Sequence, residues 1–189
     1  MKLYITDQSD NFSRLLRHLM TKPTMTFDKT TLQEKVTIIN IRTALRLEDS
    51  NVDFLFDYNI FPSHIMTFLT QWSSEKRSMK VGDTILQQVF FPPVKNFSQK
   101  MIFGVRINDV IDDAKRKGFS YVTLEGHVEK GESIFTLEEA EAGLIFKIRT
   151  FSKPGNLLTT LVDTFLTSPY QAYCTRAALA NIKRQLEQI

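Results

Sequence analysis

Cysteine is nearly missing from this chain of 189 residues, and its single copy, Cys174, excludes an internal disulfide. A charge of one sign is missing too. The 24 basic and 21 acidic residues are interspersed and leave a net charge of +3, which gives no strong field for nucleic acid or an anionic membrane. No apolar run approaches the length of a membrane span, and the opening MKLYITDQSD lacks the apolar segment of a secretory signal. A reducing, cytoplasmic setting is therefore the simplest expectation. Phosphate-binding glycine loops are absent, no Ser-His-Asp order can be defended, and the aromatic residues are not interleaved with a basic strip. No cofactor is implied.

Phenylalanine, by contrast, is abundant: fifteen residues against one tryptophan make the apolar positions strongly aromatic, which suits a core and a ligand cavity equally. A chain of this length fits one domain with an appendage, and residues 1–50 are read as an N-terminal extension before a domain at 51–189. Phe12, Leu15, Leu16, Leu19 and Met20 recur at helical spacing over Asn11 to Lys22, with Asp10 as the N-cap. Val36 to Leu47 fits a strand or a helix, and the β-branched residues of Val36 to Ile41 favour the strand. Val52, Phe54, Phe56, Tyr58 and Ile60 alternate with polar neighbours as in a half-buried strand, and Pro62-Ser63 opens a helix through about Lys76. Thr84 to Phe91 and Gln99 to Ile107 read as strands. From Ser152 and Pro154 onward a helical tail carries Leu157, Leu158, Leu161, Val162, Phe165 and Leu166. Ser168-Pro169 should then kink or restart the helix, and Tyr170, Cys174, Ala178, Ile182 and Leu186 continue it at i+4 spacing.

Two hairpins join these halves. A turn at Val128-Glu129-Lys130-Gly131 sets His127 opposite Glu132, Leu124 opposite Phe135 and Val122 opposite Leu137, and it leaves Tyr121, Thr123 and Glu125 on a polar face. A loop at Glu139 to Ala142 then sets Leu137 opposite Leu144 and Phe135 opposite Phe146. The pattern is α+β, with about five consecutive antiparallel strands burying one face beneath helices.

The run Gly118-Phe119-Ser120-Tyr121, then Thr123-Leu124, Gly126-His127, Glu129, Gly131-Glu132 and Phe135, followed by Phe151-Ser152-Lys153-Pro154, resembles the signature of the family numbered 1990 among domains of unknown function. The resemblance covers roughly residues 52–189. That family in turn resembles the START and birch-allergen-like helix-grip superfamily, in which a curved antiparallel sheet wraps around a long C-terminal helix and encloses hydrophobic ligands. Val122 and Glu125 depart from the glycine and proline of many family members. The resemblance implies a pouch lined by Phe56, Tyr58, Phe103, Leu124, Phe135 and Phe146. It would hold an apolar small molecule or lipid whose polar end Gln87 could orient.

Two rival functions compete with ligand binding. His127, Glu129 and Glu132 bring an imidazole and two carboxylates near one turn, enough for the acid/base pair of a cyclase or hydrolase, although a solvated hairpin tip is the plainer reading. One histidine with no second ligand cluster argues against a metal site. Alternatively, residues 1–50 or an exposed strand face could bind a protein partner. Arg106 should point outward, solvated or paired with an acid, and Cys174 should pack within the final helix.

Overall fold

The computed structural model describes residues 2–91, 98–141, 143–154 and 169–187. Eight strands form one antiparallel sheet: β1 (Lys2–Tyr4), β2 (Gln33–Ile41), β3 (Met66–Thr70), β4 (Thr84–Phe91), β5 (Gln99–Asp113), β6 (Arg116–Thr123), β7 (Glu129–Ala140) and β8 (Gly143–Pro154). The order across it is β2-β8-β7-β6-β5-β4-β3, and β1 pairs with the first part of β5. From β3 to β8 every strand pairs with the next in sequence. β1 and β2 make the long-range pairings, β2 running beside β8 from Gln33↔Ser152 to Ile41↔Leu144.

Among the described residues four helices accompany the sheet: α1 (Phe12–Met20), the single turns α2 (Asp53–Phe56) and α3 (Gln71–Ser74), and α4 (Pro169–Glu187). The stripe read for α1 is the buried one, with Phe12, Leu15, Leu16 and Leu19 all below a tenth exposed. Its N-cap is not Asp10. A 3-10 turn over Ser9–Asn11 runs directly into the helix, so Asp10 lies inside the turn, and Asp7 supplies the carboxylate that accepts from Ser9 N at 2.8 Å. Proline opens α4, where its missing N–H costs nothing. The expected apolar surface from Leu157 to Leu166 lies outside the described residues.

Three segments differ from the sequence reading. Residues 52–60 form no strand, because Asn51 Oδ1 accepts from Asp53 N at 2.9 Å and starts the α2 turn, and Tyr58 then takes a left-handed φ of 64°. Residues 66–70 are an edge strand against β4 in place of a helix. Met66 and Phe68 face one side and Thr67 and Leu69 the other, and Thr70 Oγ1 caps the short α3 by accepting from Ser73 N. Ser152 to Pro154 complete β8 instead of starting a helix.

The hairpin registers also differ. The β6–β7 reversal is at Leu124–His127, where His127 N donates to Leu124 O at 3.0 Å and Gly126 takes a φ of 88°. Observed pairs are Phe119↔Phe135, Tyr121↔Ser133 and Val122↔Glu132. This register is displaced by an odd number from the expected one, so it turns β6 over: Phe119 and Tyr121 join Phe135, and Val122 joins Glu132. Gly131 is not the turn glycine. It lies inside β7, where a Cβ would stand 1.9 Å from the Phe151 carbonyl oxygen. In the β7–β8 hairpin Ala140 pairs with Gly143 and Leu137 with Phe146, an even displacement that keeps the expected faces.

The sheet is covered on both sides, by different helices. On its inner face Ala178, Ile182 and Leu186 of α4 join Phe119, Phe135, Leu137 and Phe146 in the main core. On the outer face α1 packs on Leu86, Ile102 and Leu124 in a second cluster. From residues 1–50, β2 belongs to the same sheet and α1 covers part of its back.

Candidate functional site

Strand β4 places Ile85, Gln87 and Val89 inward and Leu86, Gln88 and Phe90 outward. The sequence reading sent one glutamine inward. Because both faces are covered at β4, both are buried, Gln87 at 4% and Gln88 at 0% exposure. Gln88 serves the N-terminal segment: its Oε1 accepts from Gln8 N at 2.8 Å, and its Nε2 donates to Thr67 Oγ1 at 2.9 Å and Asp7 Oδ1 at 3.1 Å. Gln87 faces the main core and donates from Nε2 to the Tyr58 hydroxyl at 2.6 Å.

Around that bond lies a small polar cluster. Tyr121 stands beside it, its ring 6.3 Å from that of Tyr58 and its backbone opposite Ser133 across β6 and β7, with Ser133, Tyr58 and Gln87 as polar neighbours that favour its ionised form against burial. Burial pushes both phenols up, Tyr58 well above the ordinary tyrosine range, so both are neutral donors at physiological pH. Glu129 raises Tyr121 further. The walls are aromatic: Tyr58 meets Phe68 edge-on at 5.1 Å and Phe119 at 5.9 Å, and Phe119 stacks on Phe135 at 5.2 Å. Phe61 touches both Tyr58 and Phe135 at 6.4 Å. It also lines an open groove of about 890 Å³ beside α4, with His64, Tyr173, Asn181 and Arg184 among its other residues. One ring therefore stands between the buried cluster and this groove.

The expected lining residues distribute unevenly. Tyr58, Gln87 and Phe135 converge on the cluster, Phe146 belongs to the same core two strands along, and Phe103 pairs with Gln87 across β4 and β5. Phe56 is half-buried at the margin, in a pocket of about 360 Å³ with Trp72, Met79 and Val110. Leu124 is on the other side of the sheet, packed in the α1 cluster, because the reversal begins at that residue. Tyr121, Ser133, Phe61 and Phe119 were not foreseen. Reading Gly126 as the turn glycine would have brought Phe119 and Tyr121 inward, whereas Phe61 has no signal of its own.

His127, Glu129 and Glu132 do not assemble as a unit. The His127 ring packs on Phe103 at 4.8 Å, and its Nδ1 accepts from Glu129 N at 3.0 Å. Burial holds this imidazole down to about 4. Glu132 lies in β7 and takes Lys29 and the Asn108 amide. Among the described residues no three His, Cys, Asp or Glu side chains are grouped as a metal ion would need. Arg106 is neither solvated nor paired with an acid: it donates to Met20 O at 3.0 Å and Thr84 Oγ1 at 3.1 Å, at the carboxyl end of α1. Cys174 is half-buried against the main core.

The sequence profile of a domain of unknown function, DUF1990, matches residues 47–181. This chain belongs to the DUF1990 family. The DUF1990 match includes Tyr58, Gln87, Tyr121 and Ser133, the whole polar cluster, and leaves β1, α1 and β2 outside it. No curated protein matches the chain. Among the described residues no helix is long and apolar enough to cross a membrane.

Proposed function

We propose that this protein is a soluble, cytoplasmic binding protein of helix-grip architecture, akin to the START and birch-allergen-like superfamily, and that it holds an apolar small molecule or lipid. The observation that carries this reading is the Tyr58–Gln87–Tyr121–Ser133 cluster, set within an aromatic wall beneath α4 and separated from an outer groove by Phe61. An apolar body would bind by burial, at about 25 cal/mol per Å² of apolar surface. The cluster would orient the polar end.

The chemistry of the cluster favours a neutral polar end, such as a hydroxyl or carbonyl, over a carboxylate. Its phenols stay protonated, and the nearby Glu129 charge disfavours an anion. Access would run from the groove past Phe61. An acid/base function has less behind it, because His127 and Glu132 are occupied by separate partners.

Native mass spectrometry of protein purified without detergent, with thermal shifts against long-chain alcohols and the matching fatty acids, tests the reading. Alcohols should raise the melting temperature more than acids. Gln87→Leu should weaken alcohol binding about tenfold, equivalent to one lost hydrogen bond of about 1.4 kcal/mol, while keeping the fold. Absence of bound mass together with no shift for any apolar compound would refute it.

A further inference from the structure

The edge of the sheet at β2 carries a separate message. This strand is nine residues long, and its register with β8 runs without a bulge from Gln33 to Ile41. Its other edge has no strand partner among the described residues. Edges of this kind are usually blunted by proline, a bulge or a short length, because a row of unpaired N–H and C=O groups is a template for another strand. β2 has none of these three devices, and its charged residues, Glu34 and Lys35, stand near one end of the strand. It also exposes Val36 at 46% and Ile38 at 50% on the outer face, two of the six exposed large apolar side chains among the described residues.

The strand is complementary to itself. A two-fold axis perpendicular to the sheet pairs residues antiparallel with like faces matched, so one residue must oppose its own copy. With Thr37 at the axis, Val36 faces Ile38 of the second copy and Ile38 faces Val36. All four exposed β-branched side chains then cover one another. In the same register Glu34 meets Asn40 and Lys35 meets Ile39, so no like charges are opposed. Neighbouring cations on β8 are already neutralised, Arg149 by Glu34 at 2.6 Å and Lys147 by Glu138 at 2.8 Å. Centring on Lys35 instead would oppose two lysines, and centring on Glu34 two carboxylates.

We propose that two copies of this chain associate through β2, antiparallel and centred on Thr37, joining their sheets into one continuous sheet across the dimer. The site proposed above lies beneath α4 on the inner face, so the dimer does not depend on ligand binding.

Sedimentation velocity of the full chain at micromolar concentration tests this. The wild type should run at twice the chain mass. Ile38→Lys should be monomeric with little change in melting temperature, since the position is half exposed. In a Cys174→Ser background, Thr37→Cys should form a disulfide-linked dimer under mild oxidation, because self-opposed strand residues lie within disulfide reach, whereas Glu34→Cys should not. A monomeric wild type, a dimer indifferent to Ile38→Lys, or equal cross-linking at the two cysteine positions would overturn the proposal.

Discussion

His127 sets a titration for the folded chain. Its ordinary value of 6.5 falls to about 4 in the fold because burial disfavours the imidazolium. Unfolded chains therefore take up a proton between these limits that folded chains refuse. The stability that this group contributes is present above pH 6.5 and declines as pH falls toward 4, by roughly 2 kcal/mol between pH 7 and 5. Urea titrations at those two pH values should show the loss, and His127→Gln should remove most of it. An unchanged difference in the variant would show that another group is responsible. Carboxylates held low, such as Glu138 beside Lys147, lose their contribution only at more acidic pH, so they do not mimic this window. Gly131 shows the same dependence on surroundings: its glycine is required by the approach of the Phe151 carbonyl, not by a turn.

At the scale of the element, α1 is held to the back of the sheet by its apolar stripe and by Arg106. Each of its four buried side chains contributes about 1.5–3 kcal/mol. Arg106 brings a cation to the last carbonyls of the helix, where unsatisfied acceptors and the dipole both favour it. Arg106→Met keeps the apolar stem and loses these bonds. It should lower stability by about 1.5–3 kcal/mol and speed amide exchange in the last turn of α1. A stable variant with unchanged exchange would mean that side-chain burial alone seats the helix. The hairpins teach a related point. An even register error left β8 correctly faced, whereas an odd one turned β6 over and sent Tyr121 to the wrong side.

For the whole molecule, the decisive arrangement is a sheet with one cover on each face. Pro23, Thr24 and Met25 extend the outer cover, since Glu125 N donates to Pro23 O at 3.0 Å and Met25 N to Thr123 O at 2.9 Å, pinning the β6–β7 tip. Removing residues 1–25 would leave Leu86, Ile102 and Leu124 open to water while sparing the inner core. Such a truncation should bind a hydrophobic dye and aggregate, although it retains the whole DUF1990 match. A monodisperse product with the wild-type melting temperature would show that the segment is dispensable.

Composition and periodicity alone pointed to the α+β class, the strands at Thr84–Phe91 and Gln99–Ile107, the stripe of α1 and a helix beyond Pro169, and β-branching favoured the strand at Val36–Ile41. In each, local propensity and the burial pattern agree. Tertiary structure decided the rest. Residues 66–70 became a strand because β4 offered a ladder. Which of two glycines reverses the chain depended on a neighbouring strand, and through it so did the cluster of Tyr58, Gln87, Tyr121 and Ser133. Such choices rest on contacts between residues distant in sequence, and a local pattern does not encode them.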